Sequence, residues 1–230
     1  MPLPMWFRAM WYVCAQKNGV SALSLQRALN LKSYNTAWLC LQKLRRAMVR
    51  PGRDRLSGEI EVDEAYVGGK HVGKRGRGAF GKQIVFVSVE KKAEAMGRIR
   101  LVCIPDVSCV TLRSAILETI EDNATIYSDG WSGYAGLSKS GYTHKIVDKS
   151  TQELSEELLP KCHLVISLLK RWILGTFQGC VGAGHLQDYL NEFTFRFNRR
   201  SSRSRGKLFY RLAEQSVATQ PNDRSKIINH

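Results

Sequence analysis

The spacing of apolar residues in this chain changes once, sharply, at Pro51-Gly52. Before that point they recur every three to four residues, which places them on one face of a helix. After it they alternate, as in a strand with one buried face. No single repeating element serves both patterns, so a helical segment must be followed by one containing a sheet. In the first part, Trp6 to Gln16 predicts a helix stopped at Lys17-Asn18-Gly19. Ser21 or Ser24 starts a short helix through Leu29, and Ser33 caps a longer one to about Met48, with Trp38, Leu41, Leu44 and Met48 on one stripe. A short helix, a tight turn and a longer basic helix form a helix-turn-helix pattern.

From Gly58 onward the sequence reads as strands and helices in alternation. Glu59 to Val67 places Ile60, Val62 and Tyr66 on one face and Glu59, Glu61 and Asp63 on the other. Gln83 to Val89 and Arg98 to Ile104 continue it as an antiparallel meander. Val110 to Ile120 predicts a helix, Thr125 to Ser128 a short buried strand running into Asp129-Gly130, and Tyr142 to Val147 another strand. Asp148 to Glu156 reads as loop, and two helices follow, Leu159 to Leu174 and His185 to Phe197. This order predicts an α/β domain, a mixed sheet flanked by helices, preceded by a small all-α segment. The expected divisions are a helical DNA-binding segment over 1–50, a linker over 51–58, the α/β domain over 59–215 and a disordered tail over 216–230.

Charge narrows the partner. The 230 residues carry 35 Lys and Arg against 20 Asp and Glu, a net +15, and the excess is concentrated. Residues 1–58 hold ten basic side chains and one acid, Asp54; Lys70 to Lys82 interleaves five cations with glycines; Arg196 to Lys207 holds six cations and no acid. Separated runs of one sign point to a polyanion, here double-stranded DNA. The cations expected on phosphate are Arg45 and Arg46, then Lys74, Arg75 and Arg77, then Arg196, Arg199 and Arg200. No apolar run approaches the roughly 18 residues of a membrane span, and the first ten residues lack a secretion signal. Six cysteines with no C-x-x-C pair exclude a disulfide scaffold and fit reduced thiols in a cytosol.

Three acids on one strand face need a reason in so basic a chain. For Glu59 and Glu61 a solvated or ion-paired strand face suffices. Asp63 stands late in its strand, and Asp129 ends another just before a glycine, a position that is also common for a turn residue. Two aspartates at the ends of adjacent strands can hold a hard divalent cation. The helix after Pro160 is apolar nearly all round and is expected to be buried, except for a stripe of His163, Ser167 and Lys170. Such a stripe must face a partner, a metal or water.

Four segments carry these residues: Glu59-Ile-Glu-Val-Asp-Glu-Ala-Tyr-Val-Gly-Gly69, Ile126-Tyr-Ser-Asp-Gly-Trp-Ser-Gly-Tyr134, Ile166-Ser-Leu-Leu-Lys-Arg-Trp172 and His185 to Arg200. In this order they resemble bacterial insertion-sequence transposases of the ISXO-like group. The resemblance implies an RNase H-like domain with a DDE-type site for two Mg²⁺ or Mn²⁺ ions. Asp63 and Asp129 match its first two acids. His163, seven residues before Lys170, occupies the slot of the third ligand, with Glu192 as the rival. Lys170 would hold a phosphate oxygen. The activity implied is metal-dependent cleavage and strand transfer at element ends by a dimer or larger assembly, in a bacterial cytoplasm at the nucleoid. Ala65, Leu168 and Gln178 depart from the group, where Thr, Asn and His are common. Relatives commonly begin with a Cys-rich zinc module, which this sequence lacks, so a truncated or inactive DNA-binding remnant is one alternative and a nuclease that cuts without joining is another.

Overall fold

A computed structural model describes residues 1–50, 52–68, 82–93, 95–147, 158–221 and 223–228. The chain divides into two compact units: Asp54–Arg171, and Met1–Arg53 together with Trp172–His230. This differs from the expected boundaries, because the last helices group with the first rather than with the sheet.

The sheet unit begins with β1 (Glu59–Val67), β2 (Gln83–Lys92) and β3 (Ala95–Ile104), followed by helix α4 (Cys109–Thr119), and then β4 (Thr125–Ser128) and β5 (Thr143–Ile146). Helices α1 (Leu3–Ala15), α2 (Ala22–Ala28) and α3 (Tyr34–Ala47) precede these in the chain. The strands lie in the order β3-β2-β1-β4-β5. β1, β2 and β3 pair antiparallel, as the meander predicts, and β4 and β5 are parallel to β1. The result is the RNase H-like mixed sheet that the resemblance implies. α4 covers one face, where Leu112 and Ile116 share a core with Ile60, Val62, Phe86 and Ile126. The other face of β1 and β2 meets helix α5 (Pro160–Phe177), which begins in this unit. Cover on both faces explains why β2 is buried almost continuously instead of alternating.

The helical unit contains α1 (Leu3–Ala15), α2 (Ala22–Ala28) and α3 (Tyr34–Ala47), then the end of α5, α6 (Leu186–Phe197), α7 (Arg205–Ala218) and α8 (Arg224–Ile228). Ser21 caps α2 by accepting a hydrogen bond from the Ser24 amide at 3.1 Å. Ala9, Val13, Leu25, Leu41 and Leu44 form one core with Phe195, Leu208 and Leu212. The expected disordered tail is corrected over its described part: α7 runs to Ala218, and Ile227 of α8 is fully buried. No helix among the described residues is long and apolar enough to cross a membrane.

Arg45 and Arg196, expected on phosphate, are instead structural. Arg45 is buried, donates to Glu192 Oε2 at 2.8 Å, and lies 3.9 Å from the Tyr189 ring centre. Arg196 donates to Glu192 Oε1 and to the carbonyls of Gln16 and Val13, at 2.8–2.9 Å. Arg46 is bonded to Asp188 at 3.2 Å. Arg199 and Arg200 stack on Phe195 and Phe197, although Arg200 stays exposed. Lys74, Arg75 and Arg77 lie outside the described residues, as does the predicted loop Asp148 to Glu156.

Candidate active site

The parallel pairing of β1 with β4 positions the two aspartates. Glu59, Ile60 and Glu61 pair with Thr125, Ile126 and Tyr127. Continuing that register by two residues sets Asp63 in step with Asp129, where β4 has ended and its chain turns away. Adjacent strands run about 4.8 Å apart. Asp63 is thus not at a strand end, as expected, but in the middle of β1, level with the point where β4 stops.

Asp63 is mostly shielded from solvent, and its Oδ1 accepts a hydrogen bond from the Glu64 amide at 2.8 Å. Burial pushes its carboxyl up to about 6. The Glu64 amide and His163 oppose that shift, while the charges of Glu64 and Asp129 add to it. Asp129 is anchored differently: its Oδ1 accepts from the Trp131 amide at 3.1 Å, and Ser128 Oγ donates to its carbonyl at 2.9 Å. The Trp131 indole in turn donates to the Val107 carbonyl at 3.2 Å. Gly133 is required here, since a Cβ at that position would lie 2.5 Å from the Trp131 indole nitrogen and 2.7 Å from the Val107 oxygen.

The third predicted residue comes from α5. His163 Nε2 stands 3.6 Å from Asp63 Oδ2, with the imidazole about half exposed. That separation is too long for a hydrogen bond, and both atoms are of a kind that could hold a divalent cation. Lys170 is exposed two turns further along the same helix. The helix itself corrects one expectation. It is buried on one side only, along Cys162, Val165, Leu169 and Ile173, and Leu164 is 48% exposed. Its apolar residues follow a helical stripe with extra leucines outside it, not full enclosure.

Glu192, the rival third ligand, is spoken for. Its carboxylate is 1% exposed and bonded to Arg45 and Arg196. Burial raises its carboxyl, but the Arg196 and Arg45 charges outweigh that and hold it below the ordinary glutamate range.

Two further acids escaped the sequence reading. Glu61 is buried rather than solvated, and its Oε2 accepts from the amides of Lys161 and Cys162 at 2.8 and 3.1 Å. Glu64 accepts from the Tyr134 hydroxyl at 2.9 Å. Burial, and then Glu64, push that phenol well above its ordinary value, so it keeps the proton it donates. The signal for this tie was the Gly-Tyr pair that follows Asp129-Gly-Trp-Ser.

The donor chemistry of two carboxylates and an imidazole fits a divalent cation, and the raised Asp63 carboxyl is one whose charge a cation would stabilise. Among the described residues, no group of three or more His, Cys, Asp and Glu is already gathered tightly enough to hold one.

The sequence profile of the ISXO2-like transposase domain matches residues 55–198, more than half of the chain. The chain belongs to the ISXO2-like transposase family. Among solved structures, it is similar to the chain in "Crystal structure of a pre-cleavage Mos1 transpososome", with 12% identity, a TM-score of 0.35 and coverage of 94% of this chain and 79% of that one. It is similar likewise to that in "Crystal structure of the Mos1 Strand Transfer Complex", with 13% identity, a TM-score of 0.37 and coverage of 95% and 79%. No curated protein matches this transposase-family chain. The family match begins just before β1 and ends just after α6, so it includes all four candidate residues.

Proposed function

We propose that this chain is a transposase that cuts DNA at the ends of a bacterial insertion sequence and joins them to a target, working in the cytoplasm at the nucleoid. The observation that carries the reading is the 3.6 Å approach of His163 on α5 to Asp63 on β1, with Asp129 following β4 in register with Asp63. Divalent cations bound there would stabilise the attacking and the leaving oxygen of an in-line phosphoryl transfer. Asp63 would hold the ions together with the other two residues. Asp129 and His163 would each complete one coordination shell. Lys170, on the same helix stripe as His163, would hold a phosphate oxygen near the cut. Water as the attacking group nicks the element end, and the freed 3′-hydroxyl attacks the target.

A neutral imidazole leaves one more positive charge on the site than a carboxylate would, and it is a softer ligand. Activity with Mn²⁺ is therefore expected to exceed that with Mg²⁺, and His163→Glu should move the preference toward Mg²⁺. An unchanged ratio of the two rates would count against His163 as a ligand.

DNA is the expected partner on charge, and bringing two element ends together calls for at least a dimer. A recognition helix reads bases mainly with its N-terminal residues. In α3 these are Tyr34, Asn35 and Thr36, all exposed, with exposed Lys32 just before them. The deciding experiment incubates the chain with labelled duplex carrying its own element's ends in Mg²⁺ or Mn²⁺. Cut and joined products are expected. Cutting without joining would make it a nuclease, and binding without cutting would make it a non-catalytic DNA-binding protein.

A further inference from the structure

We infer that Glu61 is a positioning residue for the candidate metal site: its carboxylate fixes the start of α5 on β1 and thereby sets His163 against Asp63. This rests on the reading that Asp63 and His163 share a cation. The first amides of a helix have no partner within it. In α5 the first position is Pro160, which lacks an N–H, and the next two amides, of Lys161 and Cys162, both donate to Glu61 Oε2, at 2.8 and 3.1 Å. Glu61 is 3% exposed, so the carboxylate takes the place of water at the helix end. The positive end of the helix dipole favours its charge.

The placement follows from two short steps. On β1, Glu61 and Asp63 are two residues apart on one face, about 7 Å along the strand. On α5, His163 directly follows the second anchored amide. Cys162, fully buried, adds a contact from its Sγ to the Val87 carbonyl at 3.9 Å, and Val87 is the residue paired with Asp63. The helix is thus held at the strand on which the aspartate stands. Without the anchor, the rotation and height of the first turn are no longer set, and the 3.6 Å approach of His163 to Asp63 is lost.

The test compares Glu61→Ala, Glu61→Gln and Glu61→Asp in the full chain. Mn²⁺ affinity is read by paramagnetic resonance, and hydrogen exchange is followed at the Lys161 and Cys162 amides. Loss of groups that orient a metal ligand costs about 10- to 100-fold in metal affinity. Glu61→Ala is expected to weaken Mn²⁺ by about 10-fold or more and to speed exchange at both amides. Glu61→Gln should recover wild-type values within about 3-fold, because its amide oxygen accepts the same two hydrogen bonds. Glu61→Asp keeps the charge but falls short by one methylene, so it should resemble Glu61→Ala, and it serves if the alanine variant does not fold. Wild-type affinity in Glu61→Ala would overturn the assignment. So would a Gln variant as weak as the Ala one, since the charge and not the acceptor would then matter. If the wild-type chain binds no Mn²⁺, the shared-cation reading fails by itself, and the exchange data still decide whether Glu61 holds the helix.

Discussion

Burial, reinforced by the carboxylates of Glu64 and Asp129, raises the Asp63 carboxyl from its ordinary range near 4 to about 6. A carboxyl raised on folding favours the fold while protonated. Its stabilising contribution is full below pH ~4 and is lost as pH rises through 6. The penalty at neutral pH is on the order of 2–3 kcal/mol. In metal-free protein, Asp63→Asn should therefore raise Tm by on the order of 5 °C at pH 8 and leave it unchanged at pH 4. Thermal melts across that range check this, and an equal gain at both pH values would mean Asp63 is not destabilised by its charge. Gly133 is constrained by contact: a Cβ there meets the Trp131 indole and the Val107 carbonyl. Gly133→Ala is expected to cost about 1–3 kcal/mol in denaturant melts, as overpacking does, and to displace the loop that holds Asp129.

Among the elements, the largest correction concerns arginines. The triad of Arg45, Glu192 and Arg196 ties α3 and α6 to the carbonyls of Val13 and Gln16 at the end of α1. Removing one partner of a buried ion pair strands the others, at about 3–5 kcal/mol. Glu192→Ala should lower stability by that amount and leave Mn²⁺ affinity unchanged, which calorimetry and metal titration separate. The strands were legible in the sequence because their cues are local: β1 and β4 begin and end at the residues their alternation and β-branched content predict. Asp129 was legible as the residue that ends β4, whereas Asp63, expected late in its strand, stands in the middle of β1. The arginines were not, since Arg45 finds Glu192 147 residues away and nothing nearby in sequence distinguishes it from an exposed cation. Glu61 was hidden likewise, as its partners are amides 100 and 101 residues on. α7 was missed because its opening cations read as part of a phosphate-binding run, although Ser204 caps it by accepting from the Lys207 amide at 3.4 Å.

For the whole molecule, net charge sets affinity and a few exposed groups set specificity. With +15 on the chain, DNA binding should weaken steeply with salt, with a log–log slope of about −0.9 per phosphate neutralised. Arg200→Ala, which removes an exposed cation, should make that slope shallower by about one and weaken all sequences alike. Asn35→Ala should leave the slope unchanged and reduce only the preference for element ends, by about 1–3 kcal/mol if Asn35 reads a base. Competition binding at several salt concentrations distinguishes the two. In the proposed site Asp63, Asp129 and His163 together hold the catalytic cations. This is tested most directly by titrating Mn²⁺ into the wild-type chain and into Asp63→Ala, Asp129→Ala and His163→Ala, with paramagnetic resonance as the readout. Binding by the wild type is expected, with its loss in both aspartate variants and a weakening of about 10-fold or more in His163→Ala. Mn²⁺ bound as tightly by Asp63→Ala as by the wild type would contradict the proposed site.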